Sequence, residues 1–94
     1  MWIVSERKLR ESAERFPRAR SPLRSWKTAV KSLSWTDPAD MRRNFRTADF
    51  VGDKTIFDLG GNKFRLIAFV HYSRQIVFVK RILTHAEYDK GDWK

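Results

Sequence analysis

The sequence predicts an α+β fold in which two N-terminal helices pack on a small antiparallel sheet of three to four strands. Apolar residues recur every three or four positions up to about residue 45, which is typical of amphipathic helices. From Phe50 onward the chain is rich in β-branched and aromatic residues, which favour strands. Helices that precede a block of strands are typical of the α+β class. Because 94 residues suffice for one core, we expect a single domain over residues 1–94.

The first helix is predicted from the segment SERKLRESAERFP, which begins at residue 5. Ser5 is of a type that caps helix N-termini, and Pro17 ends the helical pattern. Between them, Leu9, Ala13 and Phe16 share one face at helical spacing. This pattern predicts a short amphipathic helix.

Two further helices are predicted. In SPLRSWKTAVKSL, Ser21 is the expected N-cap and Pro22 suits the first helical position. In TDPADMRRNF, Asp37 and Pro38 repeat this start signal, with room for about two turns before Phe45. We interpret this last helix as a connector. The apolar stripe of the longer helix consists of Leu23, Trp26, Val30 and Leu33.

Three strands are predicted at residues 55–59, 63–72 and 75–83, separated by the turn segments GGN and YSRQ. The second and third strands are almost continuously apolar, which indicates central strands covered by helices. Residues 1–4 are expected to add a fourth strand at an edge. The lone charges inside the strands, at Arg65, Lys80 and Arg81, call for an explanation.

The chain is strongly basic, with 20 Lys and Arg against 11 Asp and Glu, a net charge of +9. Residues 1–47 hold 12 of the basic residues and 5 of the acids, so most of the excess lies in the helical half. Such a charge attracts polyanions, and RNA is the commonest polyanion in the cytosol. A solvated basic surface without any partner is the alternative.

Several kinds of site are not indicated. The chain has no cysteine and two widely separated histidines, so we expect neither a metal site nor a cofactor. It has no glycine-rich phosphate loop, no serine elbow and no HExxH motif. The N-terminus becomes polar after four residues, and no run approaches the ~20 apolar residues that span a bilayer. We therefore expect a cytoplasmic protein without membrane contact.

Basic and titratable side chains cluster on the predicted adjacent strands and just after them. RNA cleavage without a metal needs a group that takes a proton, one that gives a proton, and cations that stabilise the phosphorane, because the ribose 2′-OH is itself the nucleophile. Arg, Lys, His and Tyr side chains can supply all three. The candidates are Lys63, Arg65, Arg81, His85, Tyr88 and Lys90.

Each candidate also has a structural interpretation. Arg65 could bind phosphate through two parallel hydrogen bonds or be an ordinary surface charge. His85, of a residue type that titrates near neutrality, could be an acid–base group or a hydrogen-bonded residue at a strand end. Tyr88 could donate or accept a hydrogen bond, and a base role would require a perturbed pKa. His71, in a mainly apolar strand, is interpreted as structural.

The segments ADFVGDKTIFDLGGNKFRLIAFVHY and VFVKRILTHAEYDK resemble the HigB family of bacterial type II toxins, a branch of the RelE superfamily of ribosome-dependent mRNA endoribonucleases. This resemblance implies a RelE-like α+β toxin that cleaves mRNA in the ribosomal A site without a metal and leaves a cyclic phosphate. It also implies neutralisation by a helix-turn-helix antitoxin of the HigA type, with operator DNA contacted only through that antitoxin.

The resemblance assigns roles to three residues. Arg65 matches the phosphate-binding arginine of the superfamily, Tyr88 falls where many RelE-like toxins have a catalytic tyrosine, and His85 lies in the His-x-Glu-Tyr segment of the subfamily. These three are the predicted catalytic residues.

One strand earlier the sequence departs from the RelE pattern. Asp58 stands where RelE-like sites place lysines, which leaves the general base unassigned. We favour a structural role for Asp58. The predicted phosphate-binding cations are Lys54, Lys63, Arg81 and Lys90.

The basic helical half is expected to bind ribosomal RNA phosphates, because so small a nuclease cannot enclose its substrate. The candidates are Arg15, Arg18, Arg20, Arg24, Lys27, Arg42 and Arg43. The alternative function is a non-catalytic RNA- or DNA-binding protein in an autoregulatory complex. A single-strand binder would expose aromatic side chains along its strands, whereas most aromatics here are expected in the core.

Overall fold

The computed structural model describes residues 1–61 and 63–94, so Asn62 of the predicted GGN turn lies outside the described residues. The strands are β1 (Trp2–Val4), β2 (Asp49–Val51), β3 (Lys54–Leu59), β4 (Phe64–His71) and β5 (Ile76–Thr84). The helices are α1 (Glu6–Arg15), α2 (Arg20–Ser32), α3 (Pro38–Asn44) and α4 (His85–Lys90), with a 3₁₀ turn at Pro17–Ala19. The predicted α+β class is confirmed.

Within residues 1–61 and 63–94, the sheet has five strands in the order β1-β5-β4-β3-β2. Strands β2 to β5 are antiparallel neighbours, whereas β1 pairs in parallel with β5. The predicted small antiparallel sheet of three to four strands is therefore wrong in strand number and in the direction of β1. The direction of a strand depends on where the chain re-enters the sheet, which short-range sequence patterns do not encode. Strand β2 was missed because its three residues are too few to form a periodic pattern.

The helix boundaries agree with the predicted segments except at the caps. Ser5 does occupy the N-cap position of α1, but its side chain makes no cap hydrogen bond. Helix α2 begins at Arg20, two residues earlier than predicted, after the 3₁₀ turn, so Ser21 is not its cap. Asp37 caps α3 as predicted, because its carboxylate accepts a 2.8 Å hydrogen bond from the Asp40 backbone N–H.

The main core lies between the sheet and helices α1, α2 and α3. From β3, β4 and β5 it takes alternate side chains, among them Phe57, Leu66 and Val79. Trp26 of α2 packs edge-on against Phe57 with 5.4 Å between ring centroids. Every second residue of these strands therefore faces the helices.

The opposite face of the sheet carries a smaller cluster of Ile56, Ile67, Leu83 and Trp93. Arg65 is on this face, which explains a lone charge in an apolar strand. A β-bulge in β5 explains the other two lone charges, Lys80 and Arg81. Ile67 pairs with Arg81 and Ala68 with Val79, so Lys80 is an extra residue in β5. The bulge turns Arg81 away from the helix-covered core. We call this surface, opposite the three helices, the open face.

None of the helices within residues 1–61 and 63–94 has the length and apolar composition needed to cross a membrane.

Replacing Leu66 by Ala should lower the free energy of unfolding by about 2–5 kcal/mol, because Leu66 is fully buried in a central strand and leaves a cavity. Arg24→Ala, at an exposed position of α2, should change it by less than about 0.5 kcal/mol. Urea unfolding of both variants provides the measurement. Equal effects in the two variants would contradict this assignment of the core.

Candidate active site

A cleft of about 230 Å³ lies on the open face where β2, β3 and β4 meet the C-terminal helix α4. Strand alternation directs the charged side chains of β2, β3 and β4 into it. Its lining combines cations, carboxylates and one phenol. The lining residues are Arg42, Thr47, Ala48, Asp49, Ile56, Asp58, Arg65 and Tyr88.

Arg65 is the most buried charge of the cleft, with 8% of its surface exposed. Its strand partner in register is Asp58, and Arg65 Nε lies 3.0 Å from Asp58 Oδ1. Arg65 Nη1 also donates a 3.4 Å hydrogen bond to the Phe64 carbonyl. A nearly buried guanidinium requires such a partner, because an unpaired buried charge costs several kcal/mol. Asp58 thus fixes the position of Arg65 within the cleft.

Tyr88 covers Arg65 from α4, with the guanidinium carbon 5.3 Å from the ring centroid. Burial raises the pKa of the Tyr88 phenol above its ordinary value, and the Asp49 carboxylate raises it further, while Arg65 acts in the opposite direction. The phenol therefore stays protonated at neutral pH. It is suited to donating a proton and unsuited to the base role, for which its pKa would have to be lowered.

Trp93 packs against the Tyr88 ring. The two rings are stacked, with centroids 4.7 Å apart and planes inclined by 13°. Trp93 Nε1 donates a 2.7 Å hydrogen bond to the Tyr88 carbonyl. Gly91 ends α4 with φ of 76°, which turns the chain back beneath the helix. Sequence reasoning missed Trp93, although a glycine after a helical segment and an aromatic two residues later were the available signal.

His85 is the first residue of α4 and does not line this cleft. It is exposed, and its Nδ1 lies 2.9 Å from Asp89 Oδ2 one turn along the helix. Its backbone N–H donates to the Lys63 carbonyl, which ties α4 to the start of β4. The structure thus brings Arg65 and Tyr88 together and places His85 on the same helix as Tyr88, at its beginning.

Residues 85–90 form a helix that was not predicted from the sequence, so His85 begins a helix and does not lie at a strand end. A capping box begins it: the Thr84 hydroxyl accepts from the Glu87 backbone N–H, and the Glu87 carboxylate accepts from the Thr84 backbone N–H. Glu87 also forms a 2.9 Å ion pair with Arg15 of α1. These contacts lower the pKa of Glu87, the hydrogen bond from Thr84 contributing most and Arg15 less.

The other predicted phosphate-binding cations lie outside the cleft. Lys54, at the start of β3, is 3.5 Å from Asp53, and Arg81 is exposed on the open face of β5. Lys63 precedes β4 and Lys90 ends α4, and both are exposed. Asp49 of β2 lines the cleft and was missed, because so short a strand leaves no recognisable pattern.

The predicted ribosome-binding cations differ in their contacts. Arg15 is paired with Glu87, and Lys27 with Glu6 at 3.1 Å. Arg42 lines the cleft, with its guanidinium carbon 5.7 Å from the centroid of the Phe50 ring. The remaining four are exposed on or next to the helices: Arg18, Arg20, Arg24 and Arg43.

Within residues 1–61 and 63–94, no group of three or more His, Cys, Asp or Glu side chains is arranged to hold a metal ion. The expectation of a reaction without a metal or cofactor stays a prediction.

The fold and the Arg–Tyr cleft can now be compared with known proteins. Residues 19–91 match the family HigB_toxin, described as the RelE-like toxic component of a toxin-antitoxin system. The protein is therefore a RelE-like toxin, and an antitoxin partner follows from this class.

Two relatives specify the family further. The mRNA interferase HigB of Escherichia coli O6:H1 is 33% identical over 93 residues, which cover 96% of this chain and 90% of the relative. The mRNA interferase HigB of Shigella flexneri is 24% identical over 92 residues, which cover 95% of this chain and 88% of the relative. The chain belongs to the HigB toxin family. The predicted family is confirmed, and so is the prediction of an enzyme.

Removing Trp93 should change the ionisation of Tyr88. In Trp93→Ala, the pKa of Tyr88 should fall toward its ordinary value of 10.0, because burial is the main cause of its rise. In Trp93→Phe, which keeps a stacked ring, it should remain raised. Ultraviolet titration in a Tyr72→Phe background isolates Tyr88, since the chain has two tyrosines. An unchanged pKa in Trp93→Ala would show that Trp93 does not shield the phenol.

The Glu87 contacts should make stability depend on pH in the acid range. Because its pKa is lower in the folded protein than its usual 4.5, Glu87 stabilises the fold above that value, and this contribution disappears as pH falls through the folded pKa. Glu87→Gln should therefore be less stable than the parent chain at pH 7 and similar to it near pH 2. Urea unfolding at both pH values tests this, and an equal difference at both would contradict it.

Proposed function

We propose that the protein is a metal-independent, ribosome-dependent mRNA endoribonuclease that inhibits translation and growth. The observation that carries this proposal is the cleft in which the fixed charge of Arg65 lies beneath the protonated Tyr88. It is also supported by the relatives, which are mRNA interferases by name.

In this mechanism the ribose 2′-OH attacks the adjacent phosphorus and the bond to the 5′-oxygen breaks. Arg65 stabilises the negative charge of the phosphorane, for which a guanidinium held in place needs no reorganisation. Tyr88 gives its proton to the departing 5′-oxygen. The products are a 2′,3′-cyclic phosphate and a 5′-hydroxyl, so no water enters the cleavage step.

His85 is our proposed acceptor of the 2′-OH proton. The contact between Nδ1 and Asp89 favours the tautomer with a proton on Nδ1, which leaves Nε2 to accept one. Asp89 then also stabilises the imidazolium that forms. Since His85 does not line the cleft in the free protein, the substrate strand would have to extend over the first turn of α4.

The basic surface of the protein supports both messenger RNA and ribosomal RNA as partners. Lys54, Lys63, Arg81 and Lys90 surround the open face and α4 and would bind mRNA phosphates. Exposed cations of the helical half, including Arg18 and Arg24, would bind ribosomal RNA. Each phosphate contact should contribute a slope of about −0.7 to −0.9 to the dependence of log affinity on log salt.

We further propose a cytoplasmic toxin neutralised by a helix-turn-helix antitoxin of the HigA type, with operator DNA contacted only through that antitoxin. Membership of a toxin-antitoxin family supports the antitoxin, and the type of antitoxin rests on the sequence resemblance.

A non-catalytic RNA- or DNA-binding protein in an autoregulatory complex is the second candidate. It is favoured by Asp58, whose carboxylate balances the charge of Arg65 in the free protein. Binding to RNA without any cleavage product would support this candidate.

Three substitutions test the site. Arg65→Ala should lower the cleavage rate by about 10²- to 10³-fold through lost charge stabilisation. Tyr88→Phe and His85→Ala should each lower it by about 10²- to 10⁴-fold through lost proton transfer. Variants with a reduced cleavage rate should no longer arrest growth when expressed. Their antitoxin binding and circular dichroism spectra should stay unchanged. Arg10→Ala, at an exposed position of α1, is the control. Arrest undiminished in the Arg65 and Tyr88 variants would overturn the site.

Mapping of fragment ends tests the reaction. Purified protein is incubated with mRNA in the presence and absence of translating ribosomes, and the 3′ ends are analysed. We expect cyclic phosphates, ribosome dependence, and no cleavage at a position carrying a 2′-deoxyribose. Ends bearing a 3′-hydroxyl would contradict attack by the 2′-OH.

A further inference from the structure

Two phenylalanines lie side by side on the open face, away from the candidate active cleft. Phe69 of β4 and Phe78 of β5 are partners in register, with ring centroids 6.2 Å apart and planes inclined by 47°. Both are partly exposed, and neither belongs to the two hydrophobic clusters formed by residues 1–61 and 63–94. They are exceptions to the expectation that most aromatics lie in the core.

The aromatic pair lies on the same face of the sheet as the candidate active cleft. Arg65 and Phe69 are on the same strand and the same face, four residues apart, which corresponds to about 13 Å along a strand. Ile67 lies between them and, like Leu83, the β5 partner of Arg65, it is buried in a cluster with Trp93. A strand that contacts both the cleft and the two rings would therefore pass over this cluster.

Another aromatic extends this surface toward the edge of the sheet. Ile3 of β1 is buried in the main core, so its neighbour Trp2 points to the opposite face, where 72% of it is exposed. Val4, two residues later, is the register partner of Phe78. The open face thus presents aromatic surface on three adjacent strands.

Positively charged side chains lie near the two phenylalanine rings. Lys80 Nζ lies 5.7 Å from the centroid of the Phe78 ring, and Arg81 is exposed on the same face. Both positions follow from the bulge in β5, because regular alternation would have directed Arg81 into the helix-covered core. Lys54 begins the neighbouring strand β3. An aromatic surface flanked by three cations suits a polyanion that carries flat rings.

We propose that Phe69 and Phe78 form a stacking platform for bases of single-stranded RNA, with Lys80 and Arg81 binding its phosphates. The platform holds the nucleotides that flank the phosphate bound at Arg65. This inference rests on the proposed function and names the part of the protein that binds the substrate strand. The flanking cations and the position of Phe69 on the same strand and face as Arg65 favour RNA over a protein partner at this surface.

Binding of a non-cleavable single strand tests the platform. The probe is a fluorescent 2′-O-methyl RNA oligonucleotide of mixed sequence, because it lacks the nucleophile and separates binding from cleavage. Phe69→Leu and Phe78→Leu keep an apolar side chain and remove the ring, whereas Phe69→Tyr and Phe78→Tyr keep the ring. Anisotropy titrations are run at several salt concentrations, with urea unfolding to verify that each variant is folded.

Each leucine variant should bind about 5- to 140-fold more weakly, the range that corresponds to the loss of one stacked base. The salt slope should not change, because stacking involves no counterions. Both tyrosine variants should bind like the parent chain. Lys80→Gln and Arg81→Gln should instead reduce the salt slope by about 0.7 each, while the control Arg10→Gln should leave it unchanged.

Leucine variants that bind the probe as tightly as the parent chain would overturn the platform. If the same variants weaken binding of the antitoxin instead, the surface is a protein interface and the platform is equally overturned. Ring-dependent binding by a protein that yields no cleavage products would support the platform and reject the nuclease. Cleavage together with binding that does not depend on the two rings would support the nuclease and reject the platform.

Discussion

Arg65 is the charge around which the open face is organised. A guanidinium held almost entirely out of water is tolerable only with a partner, and Asp58 supplies it from the adjacent strand in direct register. Tyr88 covers Arg65 from α4, and Trp93 stacks against Tyr88. Register between β3 and β4 therefore decides whether the cleft exists, since a slip of one residue would send Arg65 into the main core.

The two faces of the sheet have different roles because three helices cover only one of them. The covered face supplies the stability of the fold through alternate residues such as Phe57 and Leu66. The open face is left for charged and aromatic side chains, with α4 covering only the end near Arg65. The bulge at Lys80 serves this division, since it moves Arg81 from the covered face to the open one.

Much of the fold could be predicted because local patterns determine it. Capping of α3 by Asp37 depends on residues within one turn, and the strands β3 to β5 are long enough for their composition to identify them. Strand β2 could not be identified, because three residues give no period. The parallel pairing of β1 with β5 joins residues more than 70 positions apart, and no local preference encodes it.

For the candidate site, the sequence by itself determined the chemical types: a lone arginine in an apolar strand, and a C-terminal tyrosine and histidine in a segment resembling HigB toxins. Only the tertiary structure decided which of them meet. It joined Arg65 to Tyr88, placed His85 at the start of α4 outside the cleft, and added Asp49 and Trp93. The reason is physical: residue type follows from the chain, whereas distance depends on strand register and on how a C-terminal helix folds back over the sheet.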